Sequence, residues 1–362
     1  MPKTGIAVLV SILIATSLFA QNNRSAVSLT GSDTATCTVP DPCRTFDVAI
    51  SKTNPGGEVI VLSSAGYGPF TVNKSVSIIS PPAYHAAIAP AAGNAITVSV
   101  DSAVVVLRGL TITGGFGGGN GIAFTGQTST ASNTKLYIDH CVISGFPSRG
   151  INFARNGTLF VAETTVRQSG SEGILIDGSP GFPSQASIDH ILVEENFDGL
   201  RVENATVAIR DSVAAENSDV GFFAFASQAG STADLSANNC QATHNTDGFF
   251  AGSGAGTAQL AVSNSVASLN IGYGVGVGNN GTVRASSNIV IRNSNGFVQN
   301  GSGVFRSRAN NTVDGNTTAD TNGTITTPSS FRCCGTTRRA AAKEPHSEEQ
   351  SKVWSGLEAS FS

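Results

Sequence analysis

Apolar residues occupy every second position of short segments through the middle of the chain. Pairs of this kind are Leu136 and Ile138, Leu159 and Val161, and Leu260 and Val262. Such alternation places one face of a β-strand in a core and leaves the other face in water. The repeats lack the 3.6-residue periodicity of a crossover helix, so the pattern predicts a protein built from short, half-buried strands.

A glycine followed by an apolar residue recurs at intervals that average roughly 25 residues. The glycines are Gly121, Gly150, Gly173, Gly199, Gly221, Gly248, Gly274 and Gly296. This interval is too short for a helical-hairpin repeat and is right for one coil of a β-solenoid with three strands per coil. We expect about ten coils, stacked as parallel strands about 4.8 Å apart.

Asparagine precedes many of these glycines by three or four residues. The positions are Asn196, Asn217, Asn245, Asn270 and Asn293. Asn and Gly tolerate left-handed backbone angles, and stacked Asn side chains can hydrogen-bond along a column. The combined pattern resembles the right-handed parallel β-helix repeat family, whose fold occurs in pectate lyases and polygalacturonases. The resemblance covers about residues 44–316 and implies an all-β, right-handed parallel β-helix, but it implies little about the reaction.

A short amphipathic helix is predicted near the start of the repeats. Residues 42–50 place Phe46, Ala49 and Ile50 on one face, and the Pro-Gly-Gly sequence at 55–57 is expected to end the helix. This helix would cap the first coil, whose strand edges would otherwise be open to aggregation.

The chain is expected to contain four segments. They are a signal peptide at 1–20, a pre-cap segment at 21–43, the β-helix domain at 44–327, and a disordered or atypical tail at 328–362. Lys3 and the apolar run that follows it are typical of a secretory signal, and the run is short for a membrane span. In the tail the Asn/Gly repeat stops. We therefore expect a secreted or periplasmic protein with no membrane attachment after cleavage.

The cysteines indicate one disulfide and buried thiols. Cys37 and Cys43 lie close together in the pre-cap segment and are the expected pair in an oxidising compartment. Cys141 and Cys240 fall in one inward-facing column and are expected to be inert. The alignment adds to that column Thr164, Ile191, Ser212, Ser265 and Ile289.

Charge and composition bear on the partner. The net charge is −4 over 362 residues, so nucleic acid is not expected to bind. Only 13% of residues are charged, and the outer surface must consist largely of Ser, Thr, Asn and Gly. Such a surface suits hydroxyl-rich ligands. The expected partner is a polysaccharide or a cell-surface glycan, bound by a monomer.

The strand that begins at each repeat glycine supplies a candidate ligand-binding strip. Its outward positions form two columns, which place Phe223, Phe225 and Phe250 beside Arg201. Exposed aromatic rings next to charged groups are typical of binding surfaces. The alternative is that neighbouring loops fold over the rings and bury them as a satellite core.

The same columns contain candidate catalytic residues. The pectate lyase resemblance implies that Asp177 and Glu203 hold Ca²⁺ against a uronate while a basic residue abstracts the sugar proton. The simpler alternative is that Arg201, which lies between these carboxyls, forms a cross-coil ion pair. Ca²⁺ is expected only under the lyase hypothesis, and no other cofactor is predicted.

Asp247 is a further catalytic candidate. The sequence Asn-Thr-Asp-Gly at 245–248 resembles the polygalacturonase signature, in which that aspartate belongs to a carboxyl cluster. Inverting hydrolysis needs a second carboxyl across the bond. The next acidic residue along the chain is Asp314, and the family's other motifs are missing, so an ordinary turn is the simpler interpretation.

A polar column is also predicted at one turn of successive coils. Its members are His140, Glu163, His190, Asp211, Asn239, Asn264 and Asn288. Zinc needs ligands about 2 Å from one centre, and a straight column spreads them too far, so no metal site is predicted. The Ile-Asp-His sequence at 138–140 and 188–190 is interpreted as part of the repeat.

The sequence therefore favours a secreted, non-catalytic carbohydrate-binding or surface-interaction module. The first alternative is a polysaccharide lyase or glycoside hydrolase acting on an acidic polysaccharide. The second is a structural or adhesive rod.

Overall fold

The computed structural model describes residues 22–115, 117–125, 133–178 and 181–327. The predicted signal peptide and the predicted tail lie outside these residues. The described residues contain one helix, Phe46–Lys52, and three long parallel sheets whose strands follow one another in chain order. This helix is not long and apolar enough to cross a membrane, and the described residues contain no other candidate helix.

Sheet 1 contains thirteen strands. They are Asn22–Val27, Thr53–Val61, Val76–Ile79, Val104–Arg108, Lys135–Asp139, Thr158–Ala162, Ser184–Asp189, Ala205–Arg210, Thr232–Asn238, Thr257–Ser263, Gly281–Ser286, Val304–Ser307 and Ile325–Thr326.

Sheet 2 contains eleven strands. They are Ala65–Gly66, Ala86–Ile88, Leu110–Thr113, Val142–Ser144, Thr165–Arg167, Leu192–Glu194, Val213–Ala215, Gln241–Thr243, Val266–Ser268, Ile289–Ile291 and Thr312–Asp314.

Sheet 3 contains eleven strands and includes the strands that follow the repeat glycines. They are Phe70–Val72, Ile96–Val98, Ile122–Phe124, Ile151–Phe153, Ile174–Ile176, Leu200–Val202, Val220–Ala226, Asp247–Ser253, Tyr273–Val277, Asn295–Gln299 and Ala319–Asn322. Each coil contributes one strand to each sheet, which confirms the predicted solenoid of about ten coils.

Residues one repeat apart are vertical neighbours in the core, as the sequence predicts. In sheet 3 Ile151 pairs with Ile174, Ile174 with Leu200, Leu200 with Phe222, and Phe222 with Phe249. All five side chains are fully buried. The Phe222 and Phe249 rings stack with centroids 5.1 Å apart, so the alternating pattern fills a single continuous core.

Stacked asparagines line the corner between sheets 2 and 3. Asn217 Nδ2 donates to Asn245 Oδ1 at 2.8 Å and to the Val193 carbonyl oxygen at 3.2 Å. Asn245 repeats this arrangement one coil further, toward Asn270. Each buried amide thus satisfies backbone groups that the tight corner leaves unpaired. The predicted Asn column is confirmed.

The ladder Asn residues and the repeat glycines do not use the left-handed backbone angles that Asn and Gly tolerate. Positive φ angles occur one residue before each ladder Asn, for example at Glu216 and His244. The repeat glycines are needed for space: a Cβ on Gly221 would lie 2.8 Å from the Gly248 carbonyl oxygen and 2.9 Å from Asn245 Nδ2. The backbone passes too close to the ladder for any side chain there.

The predicted polar column lies at the turn between sheets 1 and 2, and the prediction is correct for most of its members but wrong for the last one. His140, Glu163, His190, Asp211, Asn239 and Asn264 all have positive φ, but the next member is Ser287 rather than Asn288. Asn288 instead lies in the inward column, where its Oδ1 accepts from the Ser265 backbone N–H at 3.0 Å. Ile289 therefore points outward. Ile-Val-Ile at 289–291 is apolar throughout, so alternation could not fix which residue faces inward.

The helix Phe46–Lys52 covers the first coil and buries Phe46, Ala49 and Ile50. The Phe46 ring lies 4.7 Å from that of Phe70. The helix ends before the predicted Pro-Gly-Gly sequence, which is part of the strand Thr53–Val61. The predicted pre-cap segment contributes the first strand of sheet 1, which pairs with Thr53–Val61.

The cysteines divide into one disulfide and two isolated thiols in the described residues. Cys37 and Cys43 are joined, with Cα atoms 4.6 Å apart. Cys141 and Cys240 are buried and free. Burial raises the pKa of each thiol to about 11, so neither is a reactive thiolate near neutral pH.

Candidate functional site

The strand register of sheet 3 assembles the predicted strip on its outer face. Arg201 pairs with Leu175 on one side and with Phe223 on the other, and Phe223 pairs with Phe250. The predicted outward column is therefore confirmed.

Arg201 lies at the centre of a charged cluster. Its Nη2 is 2.9 Å from Glu203 Oε1, and its Nη1 is 3.6 Å from Asp198 Oδ2 and 3.8 Å from Glu172 Oε1. Its Cζ lies 4.7 Å from the centroid of the Phe225 ring, within the range of a cation–π contact. The guanidinium is thus already engaged by carboxylates and a ring. The expected cross-coil ion pair is only partly correct: Arg201 pairs with Glu203 within its own coil, and its partner in the preceding coil is Glu172 rather than Asp177.

Three phenylalanines extend this cluster along the sheet. The Phe223 centroid lies 5.2 Å from that of Phe225 and 5.8 Å from that of Phe250. All three side chains are half-buried, so the neighbouring loops do not enclose them as a closed core. They form an open apolar strip beside Arg201.

The Phe250 ring lies across a glycine-rich part of the sheet. A Cβ on Gly276 would come within 2.8 Å of Phe250 Cδ2, and a Cβ on Gly278 within 3.2 Å of its Cζ. Missing side chains at these outward positions leave room for the ring to rest on the backbone. Such a supported ring offers a rigid apolar surface to a ligand.

Asp177 and Glu203 occupy equivalent positions of successive coils. Burial raises the pKa of Asp177 to about 6, and the negative charge of Glu203 adds to this effect. The Asn204 backbone N–H, Arg149 and Arg201 oppose it only in part. Asp177 is therefore a half-buried carboxyl that keeps its proton to an unusually high pH.

Three residues of the site were not predicted from the sequence: Arg149, Glu172 and Asp198. Arg149 Nε lies 2.5 Å from Glu172 Oε2. Burial opposes ionisation of Glu172, but hydrogen bonding from Ser171 and the charge of Arg149 outweigh it, and the pKa of Glu172 is lowered. Each missed residue directly precedes a repeat glycine, and this shared position is the signal that would have identified them. We call Arg149, Glu172, Asp177, Asp198, Arg201 and Glu203 the Arg201 cluster.

Asp198 is a fully buried carboxyl with one poorly satisfied oxygen. Its Oδ1 accepts from the Val220 backbone N–H at 3.1 Å, whereas Oδ2 makes no hydrogen bond within the described residues. Burial raises its pKa to about 6, with Asp219 and Glu172 adding to the effect of burial. The folded protein therefore stabilises the protonated form of this group.

Asp247 lies two coils beyond Asp198 and, like Asp198, accepts a hydrogen bond from a backbone N–H of the next coil. Its Oδ1 accepts from the Tyr273 backbone N–H at 2.7 Å. Burial raises the pKa of Asp247 to about 6, and a contribution comes from Asp219 in the preceding coil. This recurrence supports the turn interpretation of the sequence at 245–248.

One group of metal-ligand side chains comes together in the described residues. Ligand atoms of Asp189, His190 and Asp211 lie within 4.8 Å of one another, closer together than expected for a straight column. Asp189 Oδ2 also pairs with Arg210 Nη2 at 2.6 Å, and Asp211 Oδ1 accepts from Asn239 Nδ2 at 2.5 Å. These carboxylates are used by neighbouring side chains.

The chain shares both sequence and structural features with known proteins. The sequence profile described as "Right handed beta helix region" matches residues 85–236. The fold is the right-handed parallel β-helix. No curated protein sequence matches the chain.

Solved β-helix structures superpose on most of this chain. An alginate lyase from Paenibacillus sp. str. FPU-7 matches with a TM-score of 0.58 and 14% identity, covering 78% of this chain and 99% of the lyase. Pectate lyase Pel9A matches with a TM-score of 0.51 and 16% identity, covering 85% and 81%. The enzymatically active domain of bacteriophage CBA120 tailspike protein 2 gives 0.56 and 12%, covering 77% and 48%. At these identities the likeness concerns the fold alone.

The Ca²⁺ site implied by the pectate lyase resemblance does not fit this β-helix. Ca²⁺ takes about six to eight oxygen ligands. Glu203 Oε1 already pairs with Arg201, and its Oε2 accepts from Ser227 Oγ at 2.7 Å. Asp177 and Glu203 with an arginine between them therefore provide too few free oxygens.

Asp198→Asn is expected to stabilise the β-helix at alkaline pH. Because the folded-state pKa of about 6 lies above the usual value of 3.8, the stabilising contribution of the protonated carboxyl is fully present below about 3.8 and is lost as pH rises through about 6. Removing the charge should raise the free energy of unfolding by about 2 kcal/mol at pH 8 and by little at pH 3.5. Denaturant titrations at both pH values measure this difference.

The matched control is Asp314→Asn, which changes an exposed aspartate on sheet 2. It should leave the pH dependence of stability unchanged. If Asp198→Asn destabilises the protein equally at both pH values, the contact with Arg201 matters more than the burial of charge.

Proposed function

We propose that this β-helix hydrolyses a polysaccharide at the Arg201 cluster, with Asp177 as the proton donor and Glu203 as its partner carboxylate. The observation that carries the proposal is the pair of neighbouring carboxyls in unlike surroundings. Asp177 has a pKa of about 6 through burial, whereas Glu203 is paired with Arg201 at 2.9 Å. A protonated carboxyl beside an ion-paired one is the arrangement that general acid catalysis of glycoside cleavage needs.

The spacing of the coils bears on the stereochemistry. Equivalent positions on adjacent parallel strands are about 4.8 Å apart. This backbone spacing favours a carboxyl separation of roughly 5 Å, as in retaining glycosidases, over the wider gap that inverting enzymes leave for water. The proposal therefore includes retention of the anomeric configuration, with Glu203 as the nucleophile.

Charge and shape favour a neutral glycan over an acidic one. Besides its two arginines the cluster contains four carboxyls, and Asp219 and Asp247 lie in the coils that follow. Below about pH 6 the protonated Asp177 and Asp198 leave the cluster near charge balance, and above this pH it has an excess of negative charge, so at neither pH does a net positive charge attract a uronate. The Phe223, Phe225 and Phe250 strip offers apolar ring surfaces for sugar rings.

The comparisons support a polysaccharide ligand only coarsely. The alginate lyase and the pectate lyase that share the fold are named for polysaccharides. A polysaccharide substrate also agrees with the secreted or periplasmic location that the N-terminal sequence predicts. The alternative of a purely structural or adhesive rod predicts neither cleavage nor glycan binding.

A second candidate is non-catalytic glycan binding. Arg201 is saturated by three carboxylates and two rings, and the open Phe strip beside it suits retention of a glycan without cleavage. Under this hypothesis Phe250→Ala abolishes binding, and no variant changes a reaction rate.

One assay separates these functions. Purified protein is incubated with neutral polysaccharides and with uronate polymers, with and without Ca²⁺, while reducing ends and unsaturated products are measured. New reducing ends without unsaturated products support hydrolysis. Unsaturated products identify a lyase, and retention of a glycan without products identifies a binding module.

A further inference from the structure

We propose a second saccharide-binding site on the outer face of sheet 1, centred on Ala162, that takes a neutral sugar ring. It goes beyond the proposed function because it lies on a different sheet from the Arg201 cluster and needs no chemistry there. A hollow of about 450 Å³ marks the position. This volume falls within the range of small-molecule sites in proteins.

An aromatic pair forms one wall of the hollow. Tyr137 and Phe160 pair across adjacent strands, and their rings stack with centroids 4.5 Å apart and planes 6° from parallel. The next residues in this column are Ser187 and Ala208. The stack therefore ends at Phe160, whose second ring face has only small side chains beside it.

The neighbouring column is interrupted by Ala162. This column runs Arg108, Asp139, Ala162, Asp189 and Arg210. Each aspartate is paired with the arginine on its far side, at 3.1 Å for Arg108 and 2.6 Å for Arg210. The small side chain of Ala162 leaves a notch between two ion pairs, next to the Phe160 ring.

The duplicated Ile-Asp-His sequence supplies the polar edges of this notch. His140 Nδ1 lies 2.5 Å from Asp139 Oδ1, and His190 Nδ1 lies 2.7 Å from Asp189 Oδ1. The two aspartates are two strand spacings apart, about 10 Å. Each of these carboxylate oxygens has a second lone pair beyond its contact with Arg or His, so fixed carboxylates on both sides of an apolar wall can accept hydrogen bonds from the hydroxyls at opposite edges of a sugar ring.

Charge balance identifies a neutral ligand. Both aspartates are neutralised by their own arginines, so the notch has no excess charge to attract an anionic or cationic partner. A second copy of the chain is a poor occupant. The apolar part of the hollow's outward surface is limited to Ile79, Val106, Tyr137, Phe160 and Ala162, far below the area that a stable interface buries.

The test is a calorimetric titration of the full chain with neutral oligosaccharides of glucose, xylose, mannose and galactose. At least one series should bind. Phe160→Ala should weaken that binding at least tenfold, because it removes the wall. Ala162→Leu should weaken it similarly while keeping the wall, because the larger side chain fills the notch.

The matched control is Phe197→Ala, which removes an exposed ring at the corner between sheets 2 and 3. It should change the affinity less than twofold, and thermal unfolding should show that all three variants remain folded.

The proposal is overturned if no neutral saccharide binds, or if Phe160→Ala and Ala162→Leu leave affinity unchanged. It is also overturned if binding is lost in Phe250→Ala instead, or if light scattering shows self-association that Phe160→Ala abolishes. Failure of hydrolysis at the Arg201 cluster is distinguishable, because it would abolish product formation and leave this binding intact.

Discussion

Asp177→Asn is expected to lower the rate of polysaccharide cleavage at least about 100-fold. Asparagine has nearly the same shape as aspartic acid but cannot donate a proton to the leaving group. In the native chain the pKa of Asp177 is about 6, so the active, protonated form is present below this value and is lost above it. The rate should therefore decline as pH rises through about 6, and the variant should lack this alkaline decline.

Reducing-end assays across pH 4–8 test both parts of this expectation. Glu203→Gln should also abolish turnover, but it breaks the ion pair with Arg201 and so does not by itself identify a catalytic group. The control is Glu194→Gln on sheet 2, whose partner Arg167 lies 3.8 Å away, and its rate should stay within about twofold. Full activity of Asp177→Asn would rule out its role as the acid.

Asn245→Ala is expected to reduce the free energy of unfolding by about 3–5 kcal/mol. The Asn245 side chain accepts from Asn217 N and Nδ2, and donates to Ala214 O and Asn270 Oδ1. Alanine would leave buried polar groups of three residues without their partner, each costing about 1–3 kcal/mol. Denaturant unfolding followed by circular dichroism measures the loss.

The control for this loss is Asn238→Ala, which removes an exposed amide bonded to Ser263 Oγ at 2.9 Å. Its cost should be below about 0.5 kcal/mol because water replaces the lost contact. Asn245→Asp provides a second comparison, since it keeps the acceptor and removes both donors. A cost for Asn245→Ala no larger than that of the control would mean that the ladder is not a principal source of stability.

Much of the fold could be predicted because its determinants are local and repeated. Alternating apolar residues such as Leu136 and Ile138 encode a strand, and the recurring Gly and Asn encode a corner. Because the repeats are alike, an assignment that is correct for one coil holds for the others. The error at Asn288 arose where Ile-Val-Ile removed the alternation. The sequence does not show why Gly221 must be a glycine, because the side chain that excludes a Cβ there belongs to an Asn one coil away.

The candidate site was only partly predictable. Arg201, Phe223 and Phe250 followed from the register alone. Asp198 and Glu172 were missed because they directly precede repeat glycines and look like turn residues, and their proximity to Arg201 depends on how side chains bend around a corner.

The sequence by itself determined the coil length, the strand order, the core-facing positions and the columns of vertical neighbours. Only the tertiary structure decided which carboxyls bury beside Arg201, that Phe250 rests on glycines, and that Ala162 opens a notch between two ion pairs. The physical reason is that periodicity fixes backbone register, whereas pKa values and hollows depend on side-chain packing among residues that are distant in sequence.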